Sequence, residues 1–330
     1  MSLISTAAKE KVSQFKAQHI LVIGDAMVDH YIYGSSDRVS PEAPVPIVLV
    51  KKEEHKLGGA ANVAANIAKL GAKVSLCSIA GNDKDGAILK KKVNQIGINN
   101  KDIILLKGRK TTVKTRVLSK SQQLIRIDSE DTDVIDNKTA KILQERIESI
   151  ITDTNVTTVV LQDYNKGMLN PVLIENLIDF CSNKKIPVVV DPKKDHLNAF
   201  KHCTLFKPNL VEVEAMVERS INPLNINQLN KAADVLFKQL ENDIVVITLS
   251  ENGIYFKQKN GEGKIIKQKS MQVADVSGAG DTVVAMLALG MAVNMDIETN
   301  VLLANIAAGH VCQLLTVEPI TEVALSKLIN

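Results

Sequence analysis

The sequence predicts an α/β fold: a mainly parallel central sheet flanked by helices on both faces, with a small lid of β-strands. Three observations carry this. Short β-branched runs alternate with amphipathic stretches, the pattern of βαβ units. The runs are apolar throughout rather than on alternate residues, so both faces of their sheet must be covered. Two stretches break the alternation and read as inserted strands. With 330 residues and 45% hydrophobic content, the chain can bury a large core.

The strands expected in the central sheet are His19–Ile23, Val74–Ile79, Val156–Leu161, Pro187–Val190 and Ile244–Leu249, each bounded by Gly, Asp, Asn or Pro. The helices expected between and after them are Ala60–Leu70, Gly86–Ile96, Lys138–Ile150, Pro171–Cys181, Ile226–Gln239 and Val283–Val293. Tyr31–Lys56 carries three prolines and period-two apolar residues, and Val113–Asp128 reads as a hairpin with a polar tip. No Pro/Gly/Ser-rich linker and no repeat interrupts the pattern. Residues 1–330 therefore read as one domain, with lid strands from about 31–56 and 111–128.

Composition excludes several classes. The net charge is +3, no Lys/Arg run stands out, and aromatics are 3% with no Trp, so no nucleic-acid partner is expected. The four cysteines form no C-x-x-C pair and have no His at ligand spacing, which suits reduced thiols in the cytoplasm. The N-terminal stretch MSLISTAAKEKVSQFKAQ is polar and lacks the apolar core of a signal peptide. The longest apolar run, Val283–Val293, is too short to span a bilayer, so no membrane partner is expected.

Three stretches carry chemistry. In Asp275–Asp281 (DVSGAGD), Gly278, Ala279 and Gly280 lie just before the apolar helix. Amides at a helix start make an anion site, and glycines let a phosphate approach them. Asp281 stands in that first turn, either as a cap or as a base for a hydroxyl that attacks the phosphoryl group. The chain has neither a P-loop nor a G-x-G-x-x-G run. Gly58-Gly59-Ala60-Ala61-Asn62 opens a second helix, and Asn66, four residues on, shares a face with Asn62. The two amides suit sugar hydroxyls, or they are solvent positions on a Gly-rich helix start. In Asn209-Leu210-Val211-Glu212, Glu212 either completes a capping box with Asn209 or stands near a Mg²⁺–water shell.

Together these segments resemble the ribokinase/PfkB family of carbohydrate kinases. GGAANVA (Gly58–Ala64) and DVSGAGD occur in the family's order, and the likeness runs over essentially the whole chain. Further stretches look like the kinases of D-glycero-β-D-manno-heptose 7-phosphate: GDAMVDHYIYG (Gly24–Gly34), RVSPEAPVPIV (Arg38–Val48), DYNKG (Asp163–Gly167), DPK (Asp191–Lys193), KPNLVE (Lys207–Glu212) and TLSENGI (Thr248–Ile254). The resemblance implies a ribokinase-like fold and transfer of a phosphoryl group from ATP to an anomeric hydroxyl, in ADP-heptose synthesis for lipopolysaccharide. It implies Asp281 as general base, the amides of Gly278, Ala279 and Gly280 as anion hole, and Asn209 and Glu212 beside ATP phosphates and Mg²⁺. It further implies Thr248, Ser250 and Gly253 along the nucleotide, with Asn305, Ala308 and Gly309 near the adenine. Asp25, Asp29, Gly58, Gly59, Asn62 and Asn66 would hold the sugar. The sugar's own phosphate calls for cations, for which Lys166, Lys193, Arg38 and Arg116 are the candidates.

The resemblance also implies a homodimer through the lid strands and a monovalent cation such as K⁺. The tail GHVCQLLTVEPIT departs from the family's usual V-x-K-x-G-T pattern, which bears on that cation and on the adenine contacts. No H-x-G-H motif follows the kinase segments, so a kinase acting without a fused nucleotidyltransferase is expected. Two other functions compete. One is a kinase for another sugar phosphate of the fructose 1-phosphate or tagatose 6-phosphate type. The other is a non-catalytic sugar or nucleotide sensor, against which the intact Asp281 and its glycines speak.

Overall fold

A computed structural model describes residues 5–119, 122–268 and 272–329. Helix α1 (Thr6–Ser13) precedes β1 (His19–Gly24), β2 (Ala26–Val39), β3 (Pro46–Gly59), α2 (Ala60–Lys69), β4 (Lys73–Gly81), α3 (Lys84–Gln95) and β5 (Ile103–Leu106). There follow β6 (Val113–Ser119), β7 (Gln122–Ser129), α4 (Asn137–Asp153), β8 (Thr158–Gln162), α5 (Pro171–Asn183) and β9 (Val188–Asp191). The rest of the chain forms β10 (Leu205–Phe206), α6 (Leu210–Val217), α7 (Ile226–Leu240), β11 (Ile244–Thr248), β12 (Ile254–Gln258), β13 (Lys264–Ile266), α8 (Ala279–Ala292), α9 (Ile297–Val311) and α10 (Glu322–Ile329).

Nine strands make one sheet in the order β13-β12-β11-β10-β9-β8-β1-β4-β5. Every pairing from β11 to β5 is parallel, and β12 and β13 add an antiparallel edge. Successive side chains of a strand point to opposite faces. Ile20 and Val22 of β1 accordingly join the core cluster containing α2, α8 and α9 residues. Leu21 and Ile23 join the cluster containing α4, α5 and α7 residues. This double covering explains why the strands read as uninterrupted apolar runs.

The polar residues collect where the parallel strands end. Asp25 follows β1, Asp163 follows β8, Asp191 closes β9, Lys207 follows β10 and Thr248 closes β11. In open parallel sheets that carboxyl edge is where ligands bind.

A second sheet has the order β3-β2-β6-β7. β2 and β3 pair antiparallel from Ala26–Gly59 out to Val39–Pro46, and β6 lies parallel to β2. The lid strands thus start at Ala26, five positions earlier than the expected 31, so Asp29 falls inside the lid sheet. The hairpin expected at Val113–Asp128 is β6–β7, and its polar tip, Lys120–Ser121, lies outside the described residues. The outer strands expose apolar side chains: Leu49 is 64% exposed, Ile125 54% and Ile127 53%.

Candidate active site

Helix α8 starts at Gly278, whose φ of 80° is a left-handed conformation that favours glycine. A Cβ there would lie 2.8 Å from Asn62 Nδ2, so the glycine also lets α2 approach. No side chain caps this helix end. The Ala279 amide turns back to the Val276 carbonyl at 3.3 Å, which removes it from the three amides expected to face a phosphate.

Asp281 is 5% exposed. Asn62 Nδ2 donates to its Oδ2 and the Tyr164 hydroxyl to its Oδ1, both at 2.8 Å. Burial pushes the Asp281 carboxyl up to about 7; the two hydrogen bonds oppose that rise, while the charges of Asp191 and Asp29 add to it. A carboxylate ionising near neutrality is suited to take a proton.

Asn66 corrects an expectation. It is fully buried, and its side chain is spent on protein partners. Its Nδ2 donates to the Asn62 backbone and side-chain oxygens, at 2.9 and 3.3 Å. Its Oδ1 accepts from Thr282 Oγ1 at 3.1 Å and from the Ile320 amide at 3.0 Å. It fixes Asn62, which fixes Asp281.

Next to this floor lie Asp25 and Asp29. Asp25 Oδ2 accepts the amides of Tyr164 (2.9 Å) and Lys166 (3.0 Å), while its Oδ1 is buried with no protein partner. Burial raises the Asp25 carboxyl despite those amides. Asp29 pairs with Arg116, whose guanidinium lies 5.4 Å from the Tyr31 ring centroid. Gly58 and Gly59 act by being small: a Cβ on Gly58 would lie 2.5 Å from Asp29 Oδ2, and one on Gly59 2.4 Å from the Asp25 carbonyl.

The DPK and KPNLVE stretches lock together. Lys207 Nζ lies 3.0 Å from Asp191 Oδ1, a pair buried on both sides. Lys193 Nζ donates to Glu212 Oε1 at 2.5 Å and sits 5.4 Å from the Tyr164 ring centroid. Burial depresses the Lys193 ammonium, but Glu212 and Asp191 more than offset it, so it stays charged. The capping box forms: Asn209 Oδ1 accepts the Glu212 amide and Glu212 Oε2 the Asn209 amide, both at 2.8 Å. Asn209 also bridges to Thr248, joining this end to the neighbouring cleft.

That cleft, of about 770 Å³, brings together Thr248, Ser250, Gly253, Ala279, Gly280, Asn305, Ala308 and Gly309. Asn305 Nδ2 donates to the Lys267 carbonyl at 3.2 Å and closes one wall. Val273, Val276 and Cys312 also line it; Val276 falls inside DVSGAGD and Cys312 inside the GHVCQLLTVEPIT tail, but neither was singled out as a contact.

Of the cationic candidates, Lys193 lies against the floor and Arg116 against Asp29. Lys166 has its ammonium on Glu130 Oε1 at 2.7 Å, and Arg38 is exposed near the far end of β2. The sequence reading missed Tyr164 and Asp163. Asp163 Oδ2 is buried without a protein partner, and burial, with Asp25 and Asp191 nearby, pushes its carboxyl up to about 7. The DYNKG stretch that holds both residues was the available signal.

An open parallel sheet with a strand lid, a nucleotide-sized cleft and a buried aspartate at a glycine-opened helix define a sugar-kinase architecture. The chain belongs to the pfkB family of carbohydrate kinases, whose pattern it matches over residues 17–319. It is 40% identical over 296 residues to the bifunctional protein HldE of Campylobacter curvus, covering 90% of this chain and 62% of that protein. It is 36% identical over 318 residues to the HldE of Pasteurella multocida, covering 96% and 65%. The chain thus spans a little over three-fifths of the length of these relatives. Among solved structures, phosphofructokinase-2 from Escherichia coli in complex with substrates and products superposes with a TM-score of 0.78 at 18% identity, over 94% of this chain and 98% of that one. Ribokinase from Arabidopsis thaliana, complexed with ribose and ATP, superposes with a TM-score of 0.72 at 17% identity, over 94% and 98%. At these identities the two structures speak for the fold.

Proposed function

We propose that this chain transfers the terminal phosphoryl group of ATP to the anomeric hydroxyl of a phosphorylated heptose, D-glycero-β-D-manno-heptose 7-phosphate, giving the 1,7-bisphosphate for ADP-heptose synthesis. One observation carries the reading. Asp281 is buried at the start of α8, and the same helix start, through Ala279 and Gly280, forms a wall of the cleft. A proton acceptor therefore stands where a nucleotide's terminal phosphate would meet an acceptor hydroxyl.

The sugar oxygen attacks the γ-phosphorus, the bond from that phosphorus to the β–γ bridging oxygen breaks, and ADP leaves with the electron pair. The hydroxyl proton passes to Asp281. The dipole of α8 and its uncapped first turn stabilise charge on the transferring group. Asp25, whose buried Oδ1 has no protein partner, and Asp163, whose buried Oδ2 has none, would accept sugar hydroxyls. The lid sheet excludes water, a competing acceptor.

Mg²⁺ neutralises charge on the nucleotide phosphates when bound. Glu212 would face such an ion only through water, because its Oε1 already accepts from the Lys193 ammonium and its Oε2 from the Asn209 amide. Near the departing tail, the Cys312 carbonyl already accepts the Ala274 and Asp275 amides, so no step here depends on a monovalent cation.

The exposed apolar side chains of β3 and β7 support a homodimer closed through the lids. Among the described residues no helix is long and apolar enough to cross a membrane, and a cytoplasmic site of action suits an ATP-dependent reaction with four free cysteines. The test is a screen of sugar 7-, 6- and 1-phosphates with ATP and Mg²⁺, following ADP release, with phosphorus NMR of the product. The expected product is a 1,7-bisphosphate. Preference for a fructose or tagatose phosphate would replace the substrate, and no ADP release with any sugar would favour the sensor.

A further inference from the structure

We infer that Tyr164 is the positioning residue that sets the proton affinity of Asp281 and couples it to the sugar-side carboxylate Asp25; this rests on the reading of Asp281 as base. Two bonds from one residue carry it. The Tyr164 hydroxyl donates to Asp281 Oδ1 at 2.8 Å, and the Tyr164 amide donates to Asp25 Oδ2 at 2.9 Å. Its ring is held from the other side by the Lys193 ammonium, 5.4 Å from the centroid. A shift of the DYNKG loop therefore moves the base and the sugar contact together.

The phenol acts only as a donor. Burial and the charges of Asp281, Asp191 and Asp29 hold its pKa well above the usual tyrosine value. Asp281 Oδ2 has a second donor in Asn62, so each oxygen carries one fixed bond and keeps lone-pair capacity for the substrate hydroxyl. The charged groups acting on Asp281 are Asp191, at the end of β9, and Asp29, on β2; both favour the protonated acid. Tyr164 and Asn62 oppose them. Donation to a carboxylate favours its ionised form, so losing the phenol weakens the base at neutral pH by leaving more of it protonated.

The experiment is Tyr164→Phe, read by the acid limb of the kcat–pH profile and by the carboxyl ¹³C resonance of Asp281, assigned through its loss in Asp281→Asn. Both midpoints are expected to move up by roughly one unit, with kcat down about fivefold at pH 7 and the KM for ATP within about twofold. Replacing Tyr164 by 3-fluorotyrosine, a more acidic phenol, is expected to move both midpoints down, and it decides the matter if the Phe variant does not fold. A carboxyl midpoint unchanged by either replacement overturns the inference. Near-normal turnover in Asp281→Asn would instead overturn the base itself, whatever Tyr164 does, so the two failures are distinguishable.

Discussion

The cleft on one side of the α8 start is walled by small residues, among them Ala279, Gly280, Ala308 and Gly309, with few charges. The other side is crowded with charge: Asp25, Asp29, Asp163, Asp191 and Asp281, with Arg116, Lys193 and Lys207 among them. The cleft can recognise a ligand only by shape and a few polar edges. The charged side offers hydrogen-bonding groups, and its three cations pair with Asp29, Glu212 and Asp191. Deleting a group from a balanced buried network leaves its partner uncompensated, whereas changing one wall of a cleft changes one contact. Substitutions on the two sides should therefore differ in size and in which substrate they affect.

The largest effect is expected at the boundary. Asp281→Asn should lower kcat by about three orders of magnitude or more while leaving both substrates' binding near normal. In the unsubstituted protein, activity should fall about tenfold per unit below the Asp281 pKa of about 7, because the protonated acid cannot accept a proton. Stability has the opposite sign. The buried acid holds its proton up to about 7, but the unfolded chain releases it near the ordinary aspartate value of 3.8. Stability from this group is thus present at low pH and is lost as pH rises through 7. The melting temperature of Asp281→Asn relative to the parent should improve from pH 5 to pH 8, and a relative melting temperature that falls over that range would contradict the burial.

Lys193→Ala probes the charged side. Its ammonium touches Glu212 and the Tyr164 ring, so on the proposed reading it stands between the two substrates. The KM for the phosphorylated sugar should rise about tenfold to a hundredfold, and that for ATP much less. Equal effects on both would move Lys193 out of the sugar-phosphate clamp and into the phosphoryl path. Lys207→Met should act on folding first: the loss strands Asp191 in the interior and should cost about 3–5 kcal/mol, read by denaturant unfolding.

What was legible in the sequence follows from distance along the chain. Gly278 and Asp281 lie three residues apart, and the capping box at Asn209 and Glu212 is equally local, so their geometry could be read directly. The central strands were legible because both faces are buried. Tyr164 was not, since its bond to Asp281 spans 117 positions. Asn66 misled for the same reason: its helical face was right, but the Ile320 amide that occupies its oxygen comes from 254 positions away. α9 gave no amphipathic signal, because packing against α8 and the sheet leaves it apolar on most sides. The β12–β13 edge is only five and three residues long, too short for periodicity to show.

The smallest effect is expected deep in the cleft, and it sharpens the contrast most. Ala308 lies three residues from Asn305 on α9, so both project from one helical face toward the same space. Ala308→Leu adds three carbons there without removing any charge or hydrogen bond. Because Ala308 is half-buried and borders open volume, the larger side chain can enter the cleft instead of straining the core. The melting temperature should stay within about 2 °C, since a surface-facing change of this kind is worth about 0.5 kcal/mol. The KM for ATP should rise roughly tenfold through lost shape complementarity, the size of one displaced apolar contact. Neither kcat at saturation nor the KM for sugar should move by more than about twofold. If the sugar KM rises as much as that for ATP, the cleft serves both substrates, and the division of the site into a shape-reading side and a charge-reading side fails.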